Sequence, residues 1–203
     1  IQRLVGSEMC IRDRLGTIGS GKSFISKLFR CPIFEADKEV ASIYRTDKRC
    51  FNLLKKKLPK FVKTFPVKKS ELINSIKADE KNLKKISLIV HPLVRKKMRD
   101  FLNKNKYQKI IILDIPLLIE NKLNKKGDVL IFIKSSKNKI IKRLRKRVNF
   151  NEKIFRKLKE NQVLISKKKK FADYVVDNNY SLKIMKKKIN LLKSKILNER
   201  NST

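Results

Sequence analysis

Apolar residues along this chain fall into two periods. The segment KIIILDIPLLIE (109–120) is an almost continuous Ile/Leu run interrupted at Asp114, and DVLIFI (128–133) is a second run of the same kind. Runs that are apolar at every position, not at alternate ones, predict strands covered on both faces, as in a parallel sheet. CPIFEAD (31–37) reads as a short strand stopping at Asp37, and DYVVDN (173–178) as a last short strand. Between them the period is helical. A helix opens at the Gly21-Lys22-Ser23 corner and runs to Phe29, and another follows from Lys38 to Tyr44. Residues 48–106 are helical with Pro59, Pro66 and Pro92 as punctuation and no strand-like run, which predicts a helical insertion. Residues 136–172 are helical and basic, with a break near 149–151. After Ser181 as cap, Leu182, Ile184, Met185, Ile189, Leu192 and Ile196 recur near helical spacing. Strands alternating with helices predict an α/β domain built on a parallel sheet.

One loop carries the strongest chemical signal. Gly16-Thr17-Ile18-Gly19-Ser20-Gly21-Lys22-Ser23 has the spacing Gly-x-x-x-x-Gly-Lys-Ser of a phosphate-binding loop, and holds three of the chain's five glycines. Its glycines let successive backbone N–H groups turn toward phosphate oxygens, and the following helix N-terminus adds its dipole. Lys22 would reach the β- and γ-phosphates, and the Ser23 hydroxyl would ligate Mg²⁺. Asp114, ending an apolar strand, sits where an acid would hold Mg²⁺ directly or through water, or else makes a local turn. Ile115-Pro116 follows it, so the second acid of many motor ATPases is missing, and no Asn-Lys-x-Asp base-reading motif is present. Asp37, at a strand's carboxyl end, suits either a base accepting a substrate hydroxyl proton or a helix N-cap. Arg143 and Arg147 lie one helical turn apart and suit either a lid over phosphates or a solvated basic face. His91, the only histidine, excludes multi-histidine metal sites; beside Pro92 it reads as a capping or packing residue.

Length and composition bound the rest. A chain of 203 residues suits one domain with a small insertion. It has no apolar run of membrane-spanning length and no signal-peptide pattern, so a cytoplasmic protein is expected. Cys10, Cys31 and Cys50 form neither a disulfide framework nor a zinc pattern. The formal net charge of +36 raises the prospect of polyanion binding. The lysines are spread along most of the chain, however, and outnumber Arg about three to one beside abundant Asn and Ile. That pattern reads as an AT-rich coding habit on solvated faces, with no specific nucleic-acid partner.

The first fourteen residues conflict with the loop. A phosphate loop leaves the end of a buried central strand, yet Arg12-Asp13-Arg14 precede this one. Burying three unpartnered charges costs on the order of several kcal/mol each. The tract VGSEMCIRDR looks like the read-through sequence found at the ends of assembled gene models. Residues 1–14 are therefore expected to be non-native, with a native Met and apolar strand once upstream of Leu15. A genuine surface extension would leave the loop without its strand.

From Leu15 to about Lys195 these motifs, in this order, resemble the dephospho-coenzyme A kinase family. GTIGSGKS is similar to the family's loop, with Thr17 where the second Gly usually stands. FEAD resembles its Asp-Ala-Asp, with Glu35 replacing the first Asp. HPLVRKKM (91–98) resembles its His-Pro-x-x-Arg segment, LDIPLLIEN (113–121) its Asp-x-Pro-Leu-Leu-x-Glu signature, and RLRKR (143–147) its lid pattern. NQ (161–162) and ADYVVDN (172–178) resemble its closing residues. The usual lid Gln is Ile140 here, and Lys167–Lys170 thicken a normally less basic segment.

The resemblance implies a three-layer P-loop fold: a five-stranded parallel sheet, a helical coenzyme A region near 60–110 and a helical lid near 136–170, all in one domain, 15–203. It implies ATP- and Mg²⁺-dependent phosphorylation of the ribose 3′-hydroxyl of dephospho-coenzyme A. The oligomeric state is left open by the sequence, with a monomer favoured. Asp37 becomes the catalytic base, with Lys22 and Arg143 catalytic beside it. Gly16, Gly19, Ser20, Gly21, Lys22, Ser23, Phe24, Arg147 and Asn178 are assigned to the nucleotide, with Asn178 near the adenine. Asp37, His91, Pro92, Arg95, Leu118 and Glu120 are assigned to the substrate, and Ser23 and Asp114 to the metal. The competing readings are a nucleic-acid-binding P-loop ATPase and a nucleoside or nucleotide kinase.

Overall fold

The computed structural model describes residues 9–16, 19–115, 129–145 and 172–201. In chain order the elements are β1 (Met9–Gly16), α1 (Lys22–Phe29), β2 (Ile33–Glu35), α2 (Ala36–Thr46), α3 (Lys48–Lys57), α4 (Lys69–Ala78), α5 (Lys81–Lys104), β3 (Ile110–Asp114), β4 (Val129–Lys134), α6 (Lys137–Arg145), β5 (Tyr174–Asp177) and α7 (Leu182–Asn201). They divide into two compact units, one of residues 1–33 with 106–203 and the other of 34–105.

In the first unit the strands β3, β1, β4 and β5 lie side by side in that order. The β3–β1, β1–β4 and β4–β5 pairings are all parallel. Their composition accounts for this: Ile110, Ile111, Ile112 and Leu113 are all buried, as are Leu130, Ile131, Phe132 and Ile133. Strands apolar on both faces demand cover on both faces. Ile110, Ile112, Ile131, Ile133 and Val176 share one face and pack against Ile25 and Phe29 of α1 and Met185, Ile189 and Ile196 of α7. Leu130 and Phe132 face the other way, with Ile115 and Ala172. On α7 the buried stripe is narrower than the sequence suggests, because Leu182 and Ile184 are exposed.

The middle of the sheet is occupied by the charged segment. Met9–Gly16 is itself the strand from which the loop departs. It pairs Met9 to Arg12 with Ile110 to Leu113. Against β4, Ile11 lies opposite Val129 but Arg14 opposite Ile131, so three steps on β1 answer two on β4. The extra residue of this bulge falls in Arg12-Asp13, where the charges are, and the regular register resumes through Leu15 and Gly16.

The second unit is helical around Ile43, Cys50, Leu54, Leu58, Val62, Val67, Leu72, Ile86 and Val90. Asp47 caps α3 by accepting from the Cys50 N–H at 2.8 Å. The buried Asn82 near the start of α5 donates to the Ser75 carbonyl at the end of α4 (2.9 Å). Two boundaries differ from those read in the sequence. Pro92 does not end a helix but lies inside the 24-residue α5, which keeps its course because Ile86, Val90, Leu93 and Val94 seat it on the core on either side of the missing N–H. The strand expected to reach Asp37 stops at Glu35, because Ala36 is already buried in the first turn of α2.

Leu54, fully buried in this core, is expected to cost ~2–5 kcal/mol when changed to Ala, read by urea unfolding; a loss below ~1 kcal/mol would mean the site collapses around the cavity. Burial, reinforced by the Asp47 charge, pushes the Cys50 thiol from 9.0 up to about 11. The folded state therefore favours the thiol, and its contribution to stability is full below pH 9.0 and lost as pH rises toward 11. Site-resolved alkylation of Cys50 should be slow in the folded protein at pH 8, should accelerate above pH 9, and should be fast at pH 8 in urea.

Candidate functional site: the phosphate loop and its supports

The loop leaves β1 at Gly16, which lies opposite Ile133 of β4, and enters α1 at Lys22. Gly19 has φ 82° and Gly21 φ 90°, both in the left-handed region that L side chains adopt only with strain. Gly19 is constrained by space as well: a Cβ there would lie 3.0 Å from Ile140 Cγ2 and 3.1 Å from Leu144 Cγ on α6. Gly21 is the N-cap of α1 and supplies no side chain to the cap. Its carbonyl accepts from the Ile25 N–H at 3.0 Å, and the N–H groups at the start of a helix are the donors that a phosphate loop presents to an anion. Ile25 and Phe29, buried under the sheet, set the direction of the helix and hence of those donors.

The loop is gripped from below by the segment after β5. The Asn178 N–H continues the ladder to the Lys134 carbonyl (2.8 Å). Its side-chain amide donates to the Ser20 carbonyl (2.8 Å), and its Oδ1 accepts from the Tyr180 N–H (2.9 Å). The Ser135 hydroxyl donates to the Asn178 carbonyl (3.2 Å). The Tyr180 hydroxyl donates to the Gly19 carbonyl at 2.7 Å. Asn178 is 3% exposed, so the residue expected near the adenine meets the nucleotide loop as a buried brace of its backbone. The Ser20 hydroxyl is wholly buried and has no hydrogen-bond partner among the described residues.

The other candidates are placed as follows. Ser23 is exposed on the first turn of α1, Lys22 and Phe24 are half-buried beside it, and Asp114 ends β3, next to β1, half-buried. Lys22 and Asp114 both interact with neighbours. Arg143 lies on α6. Ile140, where the lid Gln is usual, is a buried apolar residue packing α6 toward Gly19. In the second unit, Asp37 is exposed in the first turn of α2; the N-cap position belongs to Glu35, whose carboxylate pairs with Lys38. His91, Pro92 and Arg95 are exposed on α5, with His91 and Arg95 one turn apart. Leu118, Glu120, Arg147 and most of the expected lid lie outside the described residues. Sequence reasoning passed over Tyr180; the Asn178-Asn179 pair before it, residues that favour side-chain-closed turns, was the available signal.

A parallel sheet whose middle strand runs through a glycine-bent loop into a helix, with an acid ending the neighbouring strand, defines a P-loop kinase-like fold. The solved structure of TT1252 from Thermus thermophilus has this fold, with TM-score 0.78 and 22% identity over 93% of this chain and 97% of its own. The family model described as CoaE, dephospho-CoA kinase, matches residues 14–183, and the chain belongs to that family. It is 31% identical over 172 residues to the dephospho-CoA kinase of Rhizobium etli, covering 82% of this chain and 84% of the relative. It is 29% identical over 171 residues to that of Wolbachia pipientis wMel, covering 82% and 87%.

Because Gly19 is constrained by both backbone and space, Gly19→Ala should weaken ATP binding at least ~10-fold with the fold retained, measured by nucleotide titration beside a circular-dichroism spectrum. Unchanged affinity would mean that α6 yields to the added methyl group.

Proposed function

We propose that this chain transfers the γ-phosphoryl group of ATP to the ribose 3′-hydroxyl of dephospho-coenzyme A, the last step of coenzyme A synthesis. The observation that carries the reading is the family match over residues 14–183, laid on a loop whose two internal glycines hold the left-handed turns that phosphate binding needs.

The residue roles follow from chemistry. Phosphoryl transfer asks for positioning and for stabilisation of charge on the transferred group more than for covalent work. The N–H groups from Gly19 to Ser23 and the α1 dipole receive the phosphates, and Lys22 neutralises charge on the β- and γ-oxygens. Gly16 sets the loop's departure from β1, and Phe24 flanks the loop. Asp37 accepts the 3′-hydroxyl proton as that oxygen attacks; its exposure in a first helical turn leaves the carboxylate open to a substrate. Arg143 and Arg147 contribute positive charge from the lid, whose closure excludes water. His91, Pro92, Arg95, Leu118 and Glu120 are assigned to the coenzyme.

Mg²⁺ fits the residues present. It binds nucleotide phosphates while keeping most of its waters, and so takes only one or two protein oxygens. Ser23 and Asp114 supply those. No group of three or more His, Cys, Asp or Glu able to cage a metal occurs among the described residues. When bound, Mg²⁺ supplies neutralisation of the phosphate charge.

We read the strands as one five-stranded parallel sheet, supported by the order β2-β3-β1-β4-β5 and its three parallel ladders. Residues 1–14 are read as standing in for a native apolar strand, supported by the register break at Ile11/Arg14 and by a family match beginning at residue 14. No helix among the described residues is long and apolar enough to cross a membrane.

ADP release would be measured with dephospho-coenzyme A, with plain nucleosides and nucleotides, and with DNA. Turnover with dephospho-coenzyme A alone is expected. Release that depends on DNA would overturn the reading in favour of a nucleic-acid ATPase, and turnover on nucleosides in favour of a second kinase. Lys22→Ala and Asp37→Asn should each lower kcat by ~10²-fold or more. Retained turnover in Asp37→Asn would strip that residue of the base role.

A further inference from the structure

Between β5 and α7 the chain makes a tight corner, Asn178-Asn179-Tyr180-Ser181. Each asparagine closes a turn on itself: Asn178 Oδ1 accepts from the Tyr180 N–H at 2.9 Å, and Asn179 Oδ1 accepts from the Ser181 N–H at 3.0 Å. The corner forces Tyr180 to φ 65°, in the left-handed region where an L side chain is strained. Glycine would take that position freely. A large aromatic residue there needs a compensating reason, and its side chain supplies one. The hydroxyl reaches across the sequence to donate to the Gly19 carbonyl at 2.7 Å. The ring is half-buried, its centroid 6.5 Å from that of Phe24 on the first turn of α1.

The consequence lies in peptide geometry. A trans peptide is planar, so its C=O and N–H point in opposite directions. Tyr180 holds the Gly19 carbonyl on the outer side of the loop, which directs the Ser20 N–H inward. Asn178 does the same to the next peptide: its amide holds the Ser20 carbonyl at 2.8 Å, which directs the Gly21 N–H inward. Both peptides adjoin glycines with positive φ, positions where the backbone has unusual freedom to rotate. Left unheld, the Gly19–Ser20 peptide can turn its carbonyl toward the phosphates and repel them.

We infer that Tyr180 is a positioning residue for the nucleotide phosphates, acting through the Gly19–Ser20 peptide and not by touching ATP. The inference rests on the reading of this loop as an ATP site. The residue thereby gives the post-β5 corner, which no catalytic group occupies, a part in setting substrate affinity.

Steady-state kinetics with each substrate varied in turn, together with ATP titrations and thermal melts, would be run on the wild type, Tyr180→Phe and Tyr180→Gly. Tyr180→Phe keeps the ring and removes the hydroxyl, so KM and Kd for ATP should rise about three- to tenfold. The KM for dephospho-coenzyme A and the melting temperature should stay unchanged. Tyr180→Gly relieves the strained φ but loses the same bond, so it should melt no lower than Tyr180→Phe and bind ATP no better. Wild-type ATP affinity in Tyr180→Phe overturns the inference. So does an equal rise in both KM values, or a weakening that tracks a fall in melting temperature, either of which marks a general structural role. A wild-type protein that fails to bind ATP overturns the underlying reading of the loop, an outcome separate from a wild type that binds while Tyr180→Phe binds equally well.

Discussion

Because a peptide group is planar, what a phosphate loop can offer an anion depends on where its carbonyls are bonded. Here two consecutive carbonyls, of Gly19 and Ser20, are held by Tyr180 and Asn178. Those two residues are themselves placed by β5, whose register on β4 runs from Tyr174 to Asp177 and is extended by the Asn178 N–H to Lys134. β4 is registered on β1, and β1 ends in the loop. The parallel ladder and the loop form a closed circuit: the strand that launches the loop also fixes, two strands away, the corner that orients it. An error of one residue anywhere in β1, β4 or β5 would turn the sheet's faces over and misplace the brace.

The two units meet the same physical demand in different ways. In the first, Ile- and Leu-rich strands satisfy their backbone groups laterally and bury side chains on both faces, with α1 and α7 on one of them. In the second, helices α2 to α5 satisfy their own backbones and need only one apolar stripe each, so they tolerate many lysines on the outer side. That division reconciles a charge of +36 with an ordinary core. The ion pairs formed, such as Lys134–Asp177 at 3.7 Å and Lys195–Glu199 at 3.7 Å, are exposed and contribute little, about 0–1 kcal/mol each.

Much of this was legible beforehand, and the reasons are local. Gly19 and Gly21 could be picked out because their spacing answers a backbone requirement, and both hold a positive φ. β3 and β4 could be read because uninterrupted apolar runs have few other homes. The start of α2 was misjudged by two residues because Ala36 and Asp37 suit a strand end and a helix start equally. Pro92 misled because the packing of α5 on both sides outweighs one lost hydrogen bond. Ile140, where the family pattern has a Gln, is buried beside Gly19, where an added Cβ would crowd it, a contact that only the folded chain shows.

By itself the sequence determined which short segments would bend, span or coil, because those choices rest on φ/ψ preference, periodicity and capping within a few residues. It also determined the chemistry on offer, since a lysine and a serine after a glycine corner have few alternatives. Only the tertiary structure decided that a charged segment would serve as the middle strand, and that a tyrosine about 160 residues from the loop would hold its backbone. Neither could be read in advance. Strand partners and cross-chain hydrogen bonds are selected by the packing of the whole sheet, and no local propensity encodes a bond between residues that meet only after the sheet has formed.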